Sequence, residues 1–256
     1  MVRNSNSYFI FKKQTEDLLN FIVTVFYGVS SLRKTIKDLD SSEDIVTPRP
    51  EFFVHDKTKP KSLYRLSYGY KSKIGAYGLL SLFSFFEAYV KSILDEIITF
   101  QGGLDDFIKI SDKKAKKFME KSSEEINEYK KKLQRDYDPK RRSDYVYYAV
   151  KLSDEKYVFP SQLFSSYGIR RYSQDIKRLQ TKDIPKILQD ALHMEIQNST
   201  IEDYRKIKDI RNEIAHGRRS EYSIKQVMEF HTFLKEFAKT IDNHITENYF
   251  IYEKYG

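Results

Sequence analysis

Apolar residues recur at helical intervals in four long stretches of this chain. Residues 74–100 have the broadest apolar stripe, and residues 200–216 have a narrow stripe of isoleucines. Residues 10–39 and 223–247 show the same spacing of three to four residues, without an internal proline. The strand-like alternation of apolar and polar residues occurs almost nowhere. This pattern predicts an all-α core built from helices at these four positions.

A charged segment separates the second of these helices from the third. Gly102 and Gly103 interrupt the apolar pattern, and residues 112–142 then hold 12 Lys or Arg against 7 Asp or Glu. The apolar stripe within this window is thin, which indicates an exposed amphipathic helix. We therefore expect a single helical domain over residues 1–256 that carries an insertion at about 101–180.

The basic residues of this insertion have two interpretations. Such a run could follow the phosphate backbone of a nucleic acid, and it could equally be an ordinary solvated face. The tyrosines next to it could stack on bases or belong to the core. The cations concerned are Lys130, Lys131, Lys132, Arg135, Lys140, Arg141 and Arg142, and the tyrosines are Tyr145, Tyr147 and Tyr148.

Composition limits the possible chemistry. The chain has no cysteine, which excludes disulfides, cysteine-based zinc sites and thiol nucleophiles. With 45 Lys and Arg against 37 Asp and Glu, the net charge is +8, which permits nucleic-acid binding without establishing it. No His, Asp and Glu cluster has the spacing of metal ligands, so we expect no cofactor.

The location of the protein is also predicted from apolar segments. The first residues lack the apolar core and small-residue cleavage site of a signal peptide. Polar residues interrupt both of the most apolar stretches, near 18–29 and 79–98, so neither is typical of a membrane span. We expect a soluble cytoplasmic protein.

The stretch from Ile210 to Gly217 has the strongest chemical signal. It places Arg211, Asn212 and His216 within six residues and ends in a glycine. Upstream, Ser199 and Glu202 have the spacing of a capping box, which predicts a helix start near residue 200. Gly217 suits the left-handed position that follows a helix C-terminus. Ser223 and Gln226 predict a second capping box before the last helix.

A helical wheel separates the polar residues of this stretch from its apolar ones. Ile207, Ile210 and Ile214 share a core-facing side, and Asn212 and His216 lie on the opposite side. Arg211 lies between them, on the flank with Tyr204. Such a polar edge could stabilise phosphate charge and move a proton. Alternatively, His216 balances the helix dipole and Arg211 is an ordinary surface side chain.

Arg211-Asn212-x-x-x-His216 resembles the Arg-polar-x-x-x-His signature of the HEPN superfamily. The stretch Phe85–Tyr89, which contains Glu87, resembles the aromatic-Glu helix of several members. The likeness covers about residues 73–100 and 199–248. It implies a HEPN-like helical bundle that is usually dimeric and cuts RNA without a metal ion, often in toxin–antitoxin or phage-defence systems. An antitoxin or another regulatory protein would then be a partner. Other members are non-catalytic modules that bind RNA, a nucleotide or a protein, and this alternative stays open.

The resemblance also implies roles for particular residues. His216 would remove a proton from a ribose 2′-OH, and Arg211 would stabilise the phosphate through its planar fork. Asn212 would hold the imidazole or a phosphate oxygen. Glu87 would orient Arg211 or His216, unless it is an exposed residue paired with Lys91 at i+4. We expect Arg218 and Arg219, together with the cations Lys130, Arg135, Arg141 and Arg142, to contact RNA.

Overall fold

The structure, a computed structural model, describes residues 4–39, 60–119, 124–133, 139–155, 157 and 165–251. These ranges contain no strand, so the all-α prediction is confirmed. Their α-helices, in chain order, are α1 (Asn6–Leu39), α2 (Pro60–Leu66), α3 (Tyr70–Phe100), α4 (Leu104–Met119), α5 (Glu124–Leu133), α6 (Arg142–Asp154), α7 (Ser165–Lys177), α8 (Ile184–Asp190), α9 (Asn198–Ala215) and α10 (Ile224–Asn248). The four predicted core helices correspond to α1, α3, α9 and α10.

The chain divides into two compact units. The first contains the residues up to Ile93 together with Gln180–Tyr249, and the second contains Leu94–Leu179 and the residues from Phe250 onward. The second unit therefore covers nearly all of the predicted insertion. The motif helix α9 and Glu87 both belong to the first unit, which is where the candidate chemistry lies.

Aromatic rings form the centre of the first unit. Phe86 of α3 is fully buried, and its ring lies 6.1 Å from Phe11 of α1, 6.0 Å from Tyr204 of α9 and 5.6 Å from Phe237 of α10. Burial of one such side chain stabilises the fold by about 1.5–3 kcal/mol. The hydroxyl of Tyr89 also donates to the carbonyl oxygen of Ala238 at 2.8 Å. The helix α3 is thus the central helix of this unit, as its broad apolar stripe predicts.

The motif helix ends as its glycine predicts. Gly217 has a φ of +70°, and its N–H donates to the carbonyl oxygen of Ile214 at 3.0 Å. The N–H of Arg218 donates to the carbonyl oxygen of Glu213 at 2.8 Å. This pair of hydrogen bonds is the Schellman arrangement, and it fixes the direction in which the chain leaves α9 directly after His216.

The segment that follows the motif is held against the start of α3. The N–H of Tyr222 donates to the carbonyl oxygen of Ser72 at 2.9 Å. The backbones come so close here that a Cβ on Gly75 would lie 2.0 Å from the carbonyl oxygen of Tyr222. Glycine is therefore required at position 75, and the contact anchors the chain between α9 and α10.

Both predicted capping boxes are wrong. The helix α9 begins at Asn198 with Gln197 as its N-cap, so Ser199 already lies inside the helix. Ser223 does occupy the N-cap position of α10, but its side chain makes no capping hydrogen bond. The buried apolar faces of these helices stabilise them without a side-chain cap, since most helical stability in proteins comes from tertiary packing.

The described part of the second unit also departs from prediction. The single amphipathic helix expected over residues 112–142 is divided among the end of α4, the helix α5 and a 3₁₀ turn at Pro139–Arg141. The helices α5 and α6 pack together, with the rings of Tyr129 and Tyr148 6.0 Å apart. Tyr148 is thus a packing residue, whereas Tyr147 is 56% exposed.

Candidate active site

An ion pair between α3 and α9 forms the centre of the candidate site. Nη2 of Arg211 lies 3.3 Å from Oε2 of Glu87, and both side chains are about one-quarter exposed, at 26% and 24%. Nη1 of Arg211 donates to Oδ1 of Asn212 at 3.0 Å. The guanidinium is therefore fixed through both of its terminal nitrogens. The ion-pair partner of Glu87 is Arg211 and not Lys91.

A threonine holds the second oxygen of the Glu87 carboxylate. The hydroxyl of Thr181 donates to Oε1 of Glu87, and the hydroxyl of Tyr204 donates to the carbonyl oxygen of Thr181 at 2.8 Å. Thr181 begins the short 3₁₀ turn Thr181–Asp183 that leads into α8. The carboxylate is thus clamped between Arg211 and Thr181. No sequence motif marks Thr181, which lies 94 residues from Glu87 along the chain.

An apolar surface borders the guanidinium on one side. Cζ of Arg211 lies 5.9 Å from the centroid of the Phe83 ring, which is within the range of cation–π attraction. The Phe83 ring stacks on Tyr204, with centroids 5.6 Å apart. Nε of Arg211 is buried and has no hydrogen-bond partner among the described residues. These contacts restrict the orientation of the guanidinium plane further.

Burial changes the acidity of two groups beside Arg211. Desolvation raises the pKa of the Glu87 carboxyl above its ordinary value, and the positive charge of Arg211 opposes this increase. Desolvation also raises the pKa of the Tyr204 phenol, and the nearby Glu87 carboxylate adds to that increase. Tyr204 therefore stays protonated and can donate to Thr181 throughout the neutral range.

His216 differs from Arg211 in its surroundings. It is the C-cap residue of α9, and its backbone N–H donates to the carbonyl oxygen of Asn212 at 3.0 Å. Its side chain is exposed, so the imidazole is accessible to a substrate. Asn212 lies one turn before it, about 6 Å along the helix axis. Because its Oδ1 accepts from Arg211, Asn212 has its amide nitrogen left to donate to a substrate oxygen or an imidazole.

The predicted RNA-binding arginines after the motif differ from each other. Arg218 is exposed. Arg219 is occupied within the fold, because its Nη2 lies 2.9 Å from Oε2 of Glu213 and its Cζ lies 5.6 Å from the Tyr222 ring centroid. An RNA phosphate would have to compete with Glu213 for this guanidinium.

The other predicted RNA-binding cations belong to the second unit or lie outside the described residues. Arg141 and Arg142 are exposed in the second unit. Lys130 belongs to the same unit, where its Nζ lies 5.4 Å from the Tyr157 ring centroid. Arg135 lies outside the described residues. Of the predicted catalytic residues, Glu87 and Asn212 both contact Arg211, and His216 lies one turn beyond.

The described part of the chain has neither a candidate metal site nor a candidate membrane span. It contains no group of three or more His, Asp and Glu side chains placed to hold a metal ion. No helix within the same residues has both the length and the hydropathy needed to cross a membrane.

Comparison with known proteins identifies the family. The model of the family described as RiboL-PSP-HEPN matches residues 51–247, which is more than half of the chain. The matched region includes Glu87, Thr181 and the whole of the Arg211–His216 motif. Comparisons with curated proteins and with solved structures gave no match.

Proposed function

The chain belongs to the RiboL-PSP-HEPN family, and we propose on this basis that it is a HEPN-type endoribonuclease that needs no metal ion. HEPN domains are often ribonucleases. The observation that carries the proposal is the guanidinium of Arg211, which Glu87 and Asn212 hold in place five residues before the exposed imidazole of His216 on the same helix. A cation and a proton acceptor at this spacing match the two needs of RNA cleavage.

The reaction proceeds by attack of the ribose 2′-oxygen on the adjacent phosphorus. His216 accepts the 2′-OH proton as the bond from O2′ to phosphorus forms, a step that general base catalysis accelerates. The bond from phosphorus to O5′ then breaks, and the leaving 5′-oxygen takes a proton from water or an imidazolium. The products are a 2′,3′-cyclic phosphate and a 5′-hydroxyl. Arg211 stabilises the additional negative charge on the phosphate oxygens during the transfer.

Glu87 acts as a positioning residue in this scheme. It touches Arg211 and not the phosphate, and Thr181 fixes its other oxygen. A guanidinium already oriented by such contacts needs no reorganisation when charge develops in the transition state, which is the condition for effective electrostatic catalysis.

We propose further that the active form is a homodimer that brings two motif helices together. One Arg211 and one His216 make a sparse site for a phosphate, and two copies related by a two-fold axis would double the catalytic groups. Asn212 and His216 lie on the side of α9 away from the buried Ile207 and Ile214, so they are available to a second copy. Light scattering at micromolar concentration should give twice the monomer mass. A fully active monomer would contradict this part of the proposal.

The biological setting that we propose is a toxin–antitoxin or phage-defence system, in which an uncontrolled RNA nuclease stops growth. Inducible expression in a bacterium tests this idea directly. Wild-type protein should arrest growth, whereas His216→Ala protein at equal abundance should not. Equal growth of the two strains would contradict a toxic role in that host.

A non-catalytic RNA-binding module is the second candidate function. The contacts of Arg211 with Glu87 and Asn212 support it, because they use two guanidinium nitrogens in interactions that also stabilise the fold. Such a module would bind RNA without cutting it, so an assay of the products separates the two candidates.

The deciding experiment incubates purified protein with RNA in excess EDTA and determines the chemistry of the new ends. We expect cleavage to products with 2′,3′-cyclic phosphate and 5′-hydroxyl ends, and we expect His216→Ala protein to give almost none. His193→Asn is a matched control, because His193 is exposed and has a φ of 51° that asparagine tolerates. Intact RNA with wild-type protein, or strict dependence on magnesium, would favour the binding module.

A further inference from the structure

The first unit contains a basic pocket between α8 and α9 that the proposed catalytic step does not use. We call it the cation pocket. It has a volume of about 170 Å³, and four basic side chains line it together with Tyr204 and Gln189: Lys182, Lys186, Arg205 and Lys208. No Asp or Glu of the described residues lines it. Because a water molecule occupies about 30 Å³ in the liquid, the pocket has room for a phosphate group.

Three of the four cations have no acidic partner within the described part of the chain. Nζ of Lys208 lies 3.1 Å from Oδ1 of Asp209, so this charge is partly neutralised. Lys182, Lys186 and Arg205 are exposed, and no carboxylate of the described residues lies within salt-bridge distance of them. Clustered charges of one sign repel each other and attract a counter-ion. A multiply charged anion such as a phosphate would satisfy this arrangement.

Two residues of the cation pocket lie on the same side of α9 as part of the catalytic motif. Arg205 and Lys208 lie on the same side of the helix as Asn212 and His216, since the four positions are separated by three, four and four residues. At a rise of 1.5 Å per residue, Arg205 and His216 are about 16 Å apart along the axis. Each nucleotide of a stacked strand adds about 3.4 Å along the helix axis, so this distance corresponds to a few nucleotides.

The turn on the other side of the cation pocket also contains Thr181, the residue that binds Glu87. Lys182 directly follows Thr181, whose hydroxyl donates to Glu87. Tyr204 lines the pocket and donates to the carbonyl oxygen of Thr181. The pocket and the Glu87–Arg211 pair are thus built on the same turn and the same helix, so the fold sets their spacing.

We propose that the cation pocket binds a phosphate group of the RNA strand a few nucleotides away from the phosphate that is cut. The pocket is then a substrate-binding subsite, which holds a longer RNA strand so that the phosphate to be cut lies at His216. This inference rests on the proposed ribonuclease function, because the same strand must reach both places. The shared chemistry is that of a phosphate group, and the experiment separates an RNA phosphate from free phosphate.

The test compares two double variants that each remove two lysine charges. Lys182→Ala/Lys186→Ala removes two cations of the pocket, and Lys206→Ala/Lys225→Ala removes two exposed lysines that do not line it. Both variants should fold, because changes of exposed side chains usually cost little stability. The binding probe is a fluorescent 12-nucleotide RNA with 2′-O-methyl groups, which keeps its phosphates but has no nucleophile. The cleavage probes are the unmodified 12-mer and a dinucleotide.

We expect the pocket variant to bind the 12-mer about tenfold more weakly than wild type does, while the control variant binds it within about twofold. The slope of log affinity against log salt should become shallower by about 0.7 for each phosphate that the pocket no longer neutralises. In the cleavage assay, KM for the 12-mer should rise with little change in kcat. Cleavage of the dinucleotide should be unchanged, because this substrate cannot reach the pocket.

Equal behaviour of the two double variants toward the 12-mer would overturn the inference, even if the wild-type protein cuts RNA. Selective loss of inorganic phosphate binding in the pocket variant, with unchanged affinity for the 12-mer, would also overturn it and assign the pocket to a free phosphate compound. Pocket-dependent binding of the 12-mer without any cleavage by wild-type protein would support the subsite and contradict the ribonuclease.

Discussion

The two ends of the Arg211–His216 motif have opposite environments. Arg211 is three-quarters buried, paired with Glu87 and bonded to Asn212, whereas the side chain of His216 is exposed at the end of α9. We therefore expect the stability of the fold to depend on Arg211 more than on His216. Mutation of the exposed histidine should change catalysis alone, whereas mutation of the buried arginine should change both catalysis and stability.

The largest expected effect is on cleavage by His216→Ala protein. General acid–base catalysis contributes about 10²–10⁴-fold, so kcat should fall by that factor. The free energy of unfolding should change by no more than about 0.5 kcal/mol, as for other exposed residues. Single-turnover cleavage and urea denaturation of the same preparation check both values. A large loss of stability would show that His216 has a structural role that its exposure does not indicate.

Arg211→Ala should reduce both activity and stability. Removal of one donor that stabilises an oxyanion costs about 10²–10³-fold in rate. The Glu87 carboxylate, which is three-quarters buried, also loses its cation, and an unsatisfied buried polar group costs about 1–3 kcal/mol. Urea denaturation should show this loss for Arg211→Ala and not for His216→Ala. The helical wheel places both residues off the isoleucine stripe and by itself predicts little change in stability for either variant, but the ion pair with Glu87 changes this expectation for Arg211.

Arg211→Lys distinguishes charge from geometry at the same position. A lysine keeps the positive charge beside Glu87 but cannot reproduce the planar fork that bonds Glu87 and Asn212 together. We expect its stability to lie between those of wild type and Arg211→Ala, while its rate stays close to that of Arg211→Ala. A rate near wild type would show that any cation at this position is sufficient.

A smaller effect is expected at Gly217, which ends the motif helix. An L-residue in the left-handed conformation costs about 1–2 kcal/mol, and the space around Gly217 is open. Gly217→Ala should therefore lower the free energy of unfolding by about that amount, as measured by urea denaturation. Gly217→Asn should lose less, because asparagine tolerates this conformation better. Equal losses for the two variants would contradict a conformational cause.

The features that sequence reasoning predicted correctly are local ones. The four core helices follow from apolar spacing, and the Schellman end of α9 follows from Gly217 at a fixed distance after the isoleucine stripe. Both depend on residues within a few turns of each other. The capping boxes were wrong although they are local, because Ser199 and Ser223 make no capping bond where tertiary packing already stabilises the helices.

The features that the sequence did not reveal depend on contacts between distant residues. Thr181 approaches Glu87 only because the turn before α8 packs beside α3, and no pattern links residues 94 positions apart. The cation pocket likewise combines Lys182 and Lys186 with two residues of α9. The sequence drew attention instead to the dense basic run of residues 112–142, whose described cations lie in the other unit.

The smallest effect concerns how the Glu87 carboxylate changes stability with pH. Burial raises its pKa above the ordinary value of 4.5, and Arg211 only partly opposes this change. The folded protein therefore binds a proton at Glu87 more tightly than the unfolded chain does. Between 4.5 and the raised pKa, the folded state holds more protons, so its stability falls as pH increases. Glu87→Gln protein lacks this contribution.

The measurement is therefore the difference in unfolding free energy between wild type and Glu87→Gln, followed upward from about pH 4, just below the ordinary carboxyl pKa. We expect the advantage of wild type to shrink as pH rises through this window and then to become constant. Glu202→Gln, which removes a carboxylate from the exposed side of α9, supplies the baseline for the change in net charge. An advantage of wild type that grows with pH would mean that the attraction of Arg211 for the ionised carboxylate outweighs its burial. Arg211 would then stabilise the fold more strongly than the comparison with His216 assumes, and the loss in Arg211→Ala should be correspondingly larger.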